Sequence, residues 1–172
     1  IRILLTSNFL LFNDYISHMK KSILFTFLFI AVSCSIFSQT ESDVKATVNR
    51  LFNAMRNADS TEILSVFTAD AFMQSVASDK EGKTIVRKNQ VQQFASSIGK
   101  MAKGAADEQI DFETIKVDGD LAFAWTPYRF IYNGKFSHGG VDAFCLVKIN
   151  GEWKIQYLII DWQNFLLVFH CL

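Results

Sequence analysis

Four side chains in the last third of the sequence are of the types that carry out acid–base chemistry. They are His138, Asp142, Tyr157 and Asp161. A carboxyl group in an apolar pocket has a raised pKa and can exchange a proton near neutral pH, and a nearby histidine can share that work. The pattern indicates proton transfer on a small molecule, or polar recognition of one. Asp142, His138 and Tyr157 are the catalytic candidates.

These residues lie in a region whose turn pairs predict antiparallel strands. The pairs are Asp118-Gly119, Asn133-Gly134 and Asn150-Gly151. Asp-Gly and Asn-Gly are preferred at the centre of two-residue type I′ turns, because both positions need positive φ. Three such turns in series predict a four-stranded meander and also its register.

The predicted register places the candidate residues on one face of the sheet. It pairs Trp125 with Asp142, Arg129 with His138, and Phe144 with Tyr157. The residues of this face are Phe112, Phe123, Trp125, Phe144, Leu146, Trp153, Ile155, Tyr157 and Ile159, with Arg129, His138, Asp142 and Asp161 toward one end. The opposite face carries Ala122, Ala124, Thr126, Tyr128, Ser137, Val141, Ala143, Cys145, Gln156 and Leu158. The first face is larger and more aromatic, so we expect helices to cover it; the second is a solvent face or a subunit contact.

Upstream of the meander the pattern is helical. A stripe from Val44 to Met55 has the spacing of an amphipathic helix. A second helix is predicted over Ser60–Phe67, begun by Asp59, and a third from about Asn89 to Gly99. Between the last two, Ala71–Ser78 and Thr84–Arg87 are predicted to be short strands.

Helices laid on a curved antiparallel sheet, with polar residues among aromatic ones, resemble the nuclear transport factor 2-like superfamily. The segments that carry the resemblance are Leu121–Tyr128, Gly134–Phe144 and Gly151–Asp161. They are similar to a small exported bacterial branch labelled lumazine-binding. The resemblance covers about Thr40–Asp161 and implies an α+β, cone-shaped (cystatin-like) roll of three N-terminal helices on a mainly antiparallel sheet. It does not imply one activity, because the superfamily hosts isomerases, dehydratases, cyclases, transport adaptors and binding modules.

The segments outside that domain carry different signals. Residues 1–18 precede Met19 and are interpreted as an untranslated upstream extension. Residues 19–39 combine two lysines, a short apolar run and small residues, which is typical of a secretory signal peptide, with an N-terminal membrane anchor or acylation of Cys34 as alternatives. We therefore expect a protein exported to the periplasm or beyond, without a membrane span after cleavage. Residues 162–172 form an atypical apolar tail, either an extension or an artefact such as a frameshift.

Composition excludes several classes of function. From residue 40 onward there are 14 Lys and Arg against 16 Asp and Glu, so no basic face for nucleic acid is expected. No cluster has metal-ligand spacing, and neither a phosphate-binding glycine loop nor a nucleophile motif is present. We expect no metal and no cofactor.

Three functions remain open. The first is a binding domain for a flat or aromatic organic molecule. The expected ligand-binding residues are Trp125, Arg129, His138, Asp142, Phe144, Tyr157 and Asp161. The second is an isomerase or dehydratase that uses Asp142 or His138 as base; whether the protein is an enzyme stays open. The third is a structural module, or a homodimer formed through the outer sheet face. In that case Arg129 and Asp142 form a structural ion pair, His138 is hydrogen-bonded to a neighbour, and the aromatic residues belong to the core.

Overall fold

The structure is a computed structural model and describes residues 40–163. The signal-peptide prediction, Cys34 and most of the tail therefore lie outside the described residues. Three helices precede or interrupt the strands: α1 over residues 40–56, α2 over Ser60–Val66 and α3 over Val91–Gly99. The strands are β1 (Phe67–Ser78), β2 (Thr84–Asn89), β3 (Ala106–Ile110), β4 (Thr114–Asp118), β5 (Leu121–Tyr132), β6 (Lys135–Ile149) and β7 (Glu152–Gln163).

All seven strands form one sheet in the order β2-β1-β7-β6-β5-β3, and β4 also pairs with β5. Every pairing is antiparallel except β1 with β7, which is parallel. The result is a mixed, mostly antiparallel curved sheet covered by helices, which confirms the predicted α+β roll and its meander β4-β5-β6-β7.

The helices begin and end where local chemistry dictates. The Asp59 carboxylate accepts a hydrogen bond from the backbone N–H of Glu62 (2.9 Å), which satisfies one of the free donors at the start of α2. Along α3, Val91, Ala95 and Ile98 are buried, one helical turn apart. All three predicted helices are confirmed: α2 and α3 lie within about two residues of their predicted bounds, and α1 begins four residues before Val44, the first residue of its predicted stripe.

The core lies between the helices and one face of the sheet, which we call the inner face. Phe52 of α1 packs edge-on against Phe144 of β6, with ring centroids 6.1 Å apart. Trp153 and Ile155 of β7 are buried in the same cluster. The face opposite the helices is called the outer face.

The predicted register is wrong over most of β5 to β7, although the Asn133-Gly134 and Asn150-Gly151 turns form as expected. A bulge at Ser137 places Gly139 opposite Arg129, and a bulge at Gln156 places Leu158 opposite Phe144. The first turn is centred on Gly119-Asp120, so Asp118 pairs with Leu121. Each of the two bulges inserts one residue and so moves all following side chains to the other face.

The face assignments change accordingly. On β5 the buried residues are Ala122, Ala124, Thr126 and Tyr128, which were predicted on the opposite face, whereas Trp125 is 39% exposed. On β7, Leu158 is buried and Tyr157 lies on the outer face beside Phe72. The prediction for β6 was right, because Asp142, Phe144 and Leu146 are all buried.

Candidate functional site

The inner face carries three polar groups that are unusual for a protein interior. Asp142 of β6 is 1% exposed, and Tyr128 of β5 is 4% exposed. Glu108 of β3 is the third, and its carboxyl group faces that of Asp142. We call these three residues the acid cluster. They come together because β5 lies between β3 and β6 in the sheet.

The hydrogen-bonding groups of the acid cluster are largely unsatisfied. Within residues 40–163, no N–H group and no Ser, Thr or Tyr hydroxyl donates a hydrogen bond to either carboxylate oxygen of Asp142, and the Tyr128 hydroxyl has no partner. Two carboxyl groups can hydrogen-bond to each other only when one of them is protonated. The geometry therefore favours one proton held between Glu108 and Asp142.

Burial sets the protonation of this cluster. It raises the pKa of Glu108 to about 7, an effect that the hydrogen bond to Asp142 partly offsets. Burial, together with the charge of Glu108, holds the pKa of Asp142 well above its usual range. Burial and the neighbouring carboxylates also raise the pKa of Tyr128. At neutral pH the cluster can thus donate as well as accept a proton.

Tyr128 reaches this position because residue 140 is glycine. A Cβ atom at Gly140 would overlap the carbonyl oxygen of Asp161 and would lie 2.9 Å from the Tyr128 hydroxyl. Gly139 and Gly140 are adjacent in the sequence, and paired glycines within a strand favour a bend or bulge. The bulge occurs two residues earlier, at Ser137, and Gly140 itself makes room for the tyrosine ring.

His138 and Trp162 form an aromatic stack beside the acid cluster. Their rings are 4.6 Å apart and inclined by 8°, and the His138 ring also meets Tyr128 edge-on at 5.8 Å. Burial lowers the pKa of His138, which favours the neutral imidazole at pH 7. Its Nδ1 lies 3.1 Å from the Ser137 hydroxyl.

An open cavity lies on the other side of this stack, toward β1, β2 and α3. It measures about 440 Å³, and we call it the Trp162 groove. Its lining residues are Met73, Ser75, Arg87, Asn89, Gln90, Gln93, Phe94, Ser97, Ile160 and Trp162. Trp162 is 59% exposed and forms the wall nearest His138. A second cavity of about 440 Å³ adjoins it and shares Ser75, Arg87 and Trp162.

The structure brings together only part of the predicted site. His138, Asp142 and Phe144 lie on the inner face, but Phe144 is fully buried in the core, against Phe52. Asp161 is half-buried and lines the second cavity, but it pairs with Val141 on the outer face, so its predicted place on the helix-covered face was wrong. The prediction that Trp125 faces Asp142 was wrong, since Thr126 occupies that position.

Three other predicted site residues lie on the outer face. Trp125 is one of them, with its ring 6.5 Å from that of Phe123. The Tyr157 hydroxyl donates a hydrogen bond to Gln74 Oε1 (2.6 Å). Arg129 is exposed and lies over the Phe136 ring, so the alternative Arg129–Asp142 ion pair does not form.

Sequence reasoning missed Glu108 and placed Tyr128 on the wrong face. Glu108 lies in the polar run Asp107-Glu108-Gln109, which gives no apolar alternation. The available signal was the spacing of Ala106, Glu108 and Ile110, which puts the glutamate on the face of two apolar residues. Arg87 and Trp162 were also missed, because neither cavity can be seen in a linear pattern.

Two kinds of feature were not found in the part of the chain that the structure describes. Within residues 40–163, no three His, Cys, Asp or Glu side chains are grouped so that they could hold a metal ion. None of the helices in that range combines the length and the apolarity needed to cross a bilayer.

Comparison with known proteins identifies the fold and the family. The structure is similar to a nuclear transport factor 2-like protein of unknown function from Shewanella baltica, with a TM-score of 0.61, 18% identity, and coverage of 74% of this chain and 97% of that one. A nuclear transport factor 2-like protein of unknown function from Silicibacter pomeroyi is also similar, with a TM-score of 0.58 and 18% identity; the match covers 74% of this chain and 98% of that one. A protein of unknown function with a cystatin-like fold from Nostoc punctiforme matches with a TM-score of 0.58 and 14% identity, over 72% of this chain and 90% of that one. At these identities the likeness shows the fold alone.

No curated protein sequence matches the chain. A family profile described as "Putative lumazine-binding" matches residues 39–157. This range contains the three helices, strands β1 to β6, β7 as far as Tyr157, and the whole acid cluster. The chain belongs to this lumazine-binding family, on the nuclear transport factor 2-like fold.

Proposed function

We propose that this ligand-binding domain takes up a small, flat organic molecule in the Trp162 groove. The observation that carries the proposal is the groove itself, about 440 Å³ beside a largely exposed indole ring. Ligand sites of this size combine apolar walls with a few convergent polar groups. Here Met73, Phe94 and Ile160 supply the apolar walls, and amide side chains of β2 and α3 supply the polar groups.

Trp162 offers a flat surface on which an aromatic ligand can stack. Its ring is already held by stacking on His138, so little side-chain freedom is lost when a second ring binds. The family description makes lumazine and related pterins the first compounds to test. A flat heteroaromatic molecule of that kind fits a groove of this volume.

The experiment is a binding titration of lumazine and 6-methylpterin by native mass spectrometry and thermal shift. Trp162→Ala should weaken binding about tenfold, the loss of one aromatic stacking contact. Trp125→Ala is the matched control, because it removes an exposed tryptophan from the outer face. Failure of the unmodified chain to bind either compound, or equal losses in both variants, would contradict the proposal.

A second candidate function is proton-transfer catalysis by the acid cluster, as an isomerase or dehydratase. It is favoured by the Glu108–Asp142 carboxyl pair, which can release or take up a proton near neutral pH. The nearby Tyr128 hydroxyl, with no partner of its own in residues 40–163, can donate a hydrogen bond to a developing oxyanion. In this hypothesis His138 positions the substrate or relays the proton.

The test of catalysis follows deuterium uptake at the C–H bond next to the carbonyl of a bound ketone, by NMR. Asp142→Asn should abolish the exchange and leave binding in the Trp162 groove intact. Loss of binding with Asp142→Asn, or unchanged exchange, would show that Asp142 is not the base.

The outer face supports a separate proposal, that two copies of this chain pair through it. Phe72 is 48% exposed and Trp125 is 39% exposed, and both lie on the sheet face away from the helices. A flat apolar face can meet its own copy around a twofold axis. Sedimentation equilibrium of the Trp125→Glu variant should give monomers where the unmodified chain gives dimers; a monomeric unmodified chain would refute the pairing.

We further propose that the protein is exported, on the strength of the signal-like residues 19–39. Fractionation of a bacterial host should then recover it outside the cytoplasm, with its new N-terminus after Ser33 or near Gln39. An uncleaved, cytoplasmic chain would contradict this, and acylated Cys34 would identify a lipoprotein.

A further inference from the structure

The charge of the Trp162 groove restricts what it can bind. Among the groove's lining residues, Arg87 is the one charged side chain. The other polar lining groups are the amides of Asn89, Gln90 and Gln93 and two serine hydroxyls, which are neutral. The groove therefore presents a single positive charge among neutral hydrogen-bonding groups.

The guanidinium of Arg87 has donors available for a ligand, judged from the residues that the structure describes. Within residues 40–163 it forms no ion pair and no side-chain hydrogen bond, whereas Arg50 and Arg56 are each paired with a carboxylate, at 2.8 and 2.6 Å. An unpaired guanidinium beside a cavity has its planar set of donors available. That set matches the two oxygens of a carboxylate or phosphate group.

The position of Arg87 determines how charge is distributed along the inner face of the sheet. Its strand, β2, pairs with β1, and Arg87 lies opposite Ser75. Trp162 is on β7, on the far side of β1, and the acid cluster lies beyond it on β6, β5 and β3. The inner face is thus positive at one end and acidic at the other, with the exposed indole between them. An anionic group on a stacked ligand is attracted toward Arg87 and repelled from the acid cluster.

We infer that the ligand of the Trp162 groove is a flat aromatic acid, whose ring stacks on Trp162 and whose carboxylate or phosphate is bound by Arg87. This inference rests on the proposed function and narrows it to anionic ligands. The neighbouring amides of Asn89 and Gln93 hydrogen-bond the polar edge of the ring. The second cavity is a poorer place for the acid, because Asp161 as well as Arg87 lines it.

The experiment compares probe pairs that share a ring system, one member anionic and the other neutral, with the full chain at pH 7 and low salt. The pairs are pterin-6-carboxylate with 6-methylpterin, and indole-3-acetate with indole-3-acetamide. The acid of each pair should bind about tenfold more tightly, as expected for a charge-assisted, two-point contact. The preference should shrink as salt is added.

Variants assign the preference to one residue. Arg87→Gln should remove the preference for the acid and leave the binding of the neutral probe unchanged, and Arg87→Lys should keep part of the preference. Lys88→Gln is the control, because it removes the neighbouring positive charge of β2 from a residue that pairs with Gln74 and faces away from the groove. Thermal melting of each variant checks that it is folded.

The outcomes separate this inference from the proposed function. Equal binding of acid and neutral probes, or a preference that survives Arg87→Gln, overturns the inference and leaves the groove as a ligand site. Loss of the preference in Lys88→Gln to the same extent also overturns it, since the effect is then one of overall charge. If none of the four probes binds, the proposed function fails and the inference fails with it.

Discussion

On the β5 side of the His138–Trp162 stack, polar groups lie in the protein interior; on the β1 side, polar groups line an open groove. Asp142 is 1% exposed, and within residues 40–163 its carboxylate oxygens receive no hydrogen bond from an N–H group or from a Ser, Thr or Tyr hydroxyl, whereas Arg87 is exposed to water. Burying an unpaired polar group costs folding free energy, but a solvated one costs almost nothing. The first region must therefore affect stability, and the second should affect binding alone.

Gly140→Ala should cause the largest loss of stability, since Gly140 lies between the two regions, opposite both Tyr128 and Trp162. The added Cβ would overlap the backbone oxygen of Asp161 and crowd the Tyr128 ring. We expect a loss of about 3 kcal/mol or more in the free energy of unfolding, measured in urea. Gly104→Ala is the control: its φ is 77° with no atom near the new Cβ, so it should cost about 1 kcal/mol. Equal losses would mean that Gly140 is not sterically constrained.

The next effect is on the pH dependence of stability. The folded state holds the protons of Glu108 and Asp142 more tightly than the unfolded state, so the contribution of these two groups to stability is greatest in acid and falls as pH rises. For Glu108 the window runs from 4.5 to about 7, which corresponds to a loss on the order of 3 kcal/mol. His138, with its lowered pKa, opposes this trend below pH 6.5.

Urea unfolding at pH 5, 6, 7 and 8 measures this slope. Asp142→Asn should flatten it and should raise stability above pH 7, because the buried negative charge is gone. Asp118→Asn is the matched control, because it removes a carboxylate from the exposed end of β4. An unchanged slope in Asp142→Asn would show that the acid cluster is hydrated and carries no such cost.

Two tyrosines test the contrast between a satisfied and an unsatisfied hydroxyl. Tyr157→Phe loses the 2.6 Å hydrogen bond to Gln74 and should cost about 1 kcal/mol. Tyr128→Phe loses a buried hydroxyl without a partner in residues 40–163, so it should be neutral or should raise the melting temperature by a few degrees. A clear destabilisation by Tyr128→Phe would show that this hydroxyl makes a hydrogen bond in the folded protein. It would then be less available to donate to a substrate.

The smallest change in stability is expected for a substitution in the Trp162 groove. Arg87→Gln should change the free energy of unfolding by less than about 0.5 kcal/mol, because no ion pair is lost. Arg56→Gln, which breaks the 2.6 Å contact with Asp107, should cost up to about 1 kcal/mol in the same thermal melts. A larger loss for Arg87 than for Arg56 would mean that Arg87 has a structural role.

The sequence predicted the fold better than the faces of its sheet. Helices and turns depend on local patterns, such as the cap at Asp59 and the Asn150-Gly151 turn, and these were identified correctly. The bulges at Ser137 and Gln156 depend on packing between strands that are far apart in sequence, and no local pattern marks them. Each bulge reverses inside and outside, so Trp125 and Tyr157 were placed in the site and Tyr128 was left out.

The same limit applies to the candidate site. His138 and Asp142 could be identified because β6 was placed correctly on the inner face. Glu108 joins them only through the pairing of β3 with β5, and Arg87 reaches Trp162 only through β1. Contacts of that kind follow from sheet order, which three hairpin turns do not determine.

The parallel pairing of β1 with β7 has a consequence for how the chain folds. Within the sheet, β1 and β2 are joined to the meander only through the last strand, as in the contact between Thr68 and Gln156, 88 residues apart. The three hairpins can form early, from neighbouring segments, but the sheet closes only when β7 has been made and has met β1. We therefore expect closure of this seam to be the slow step of folding, and the Trp162 groove, which the seam builds, to be the last part of the molecule to form.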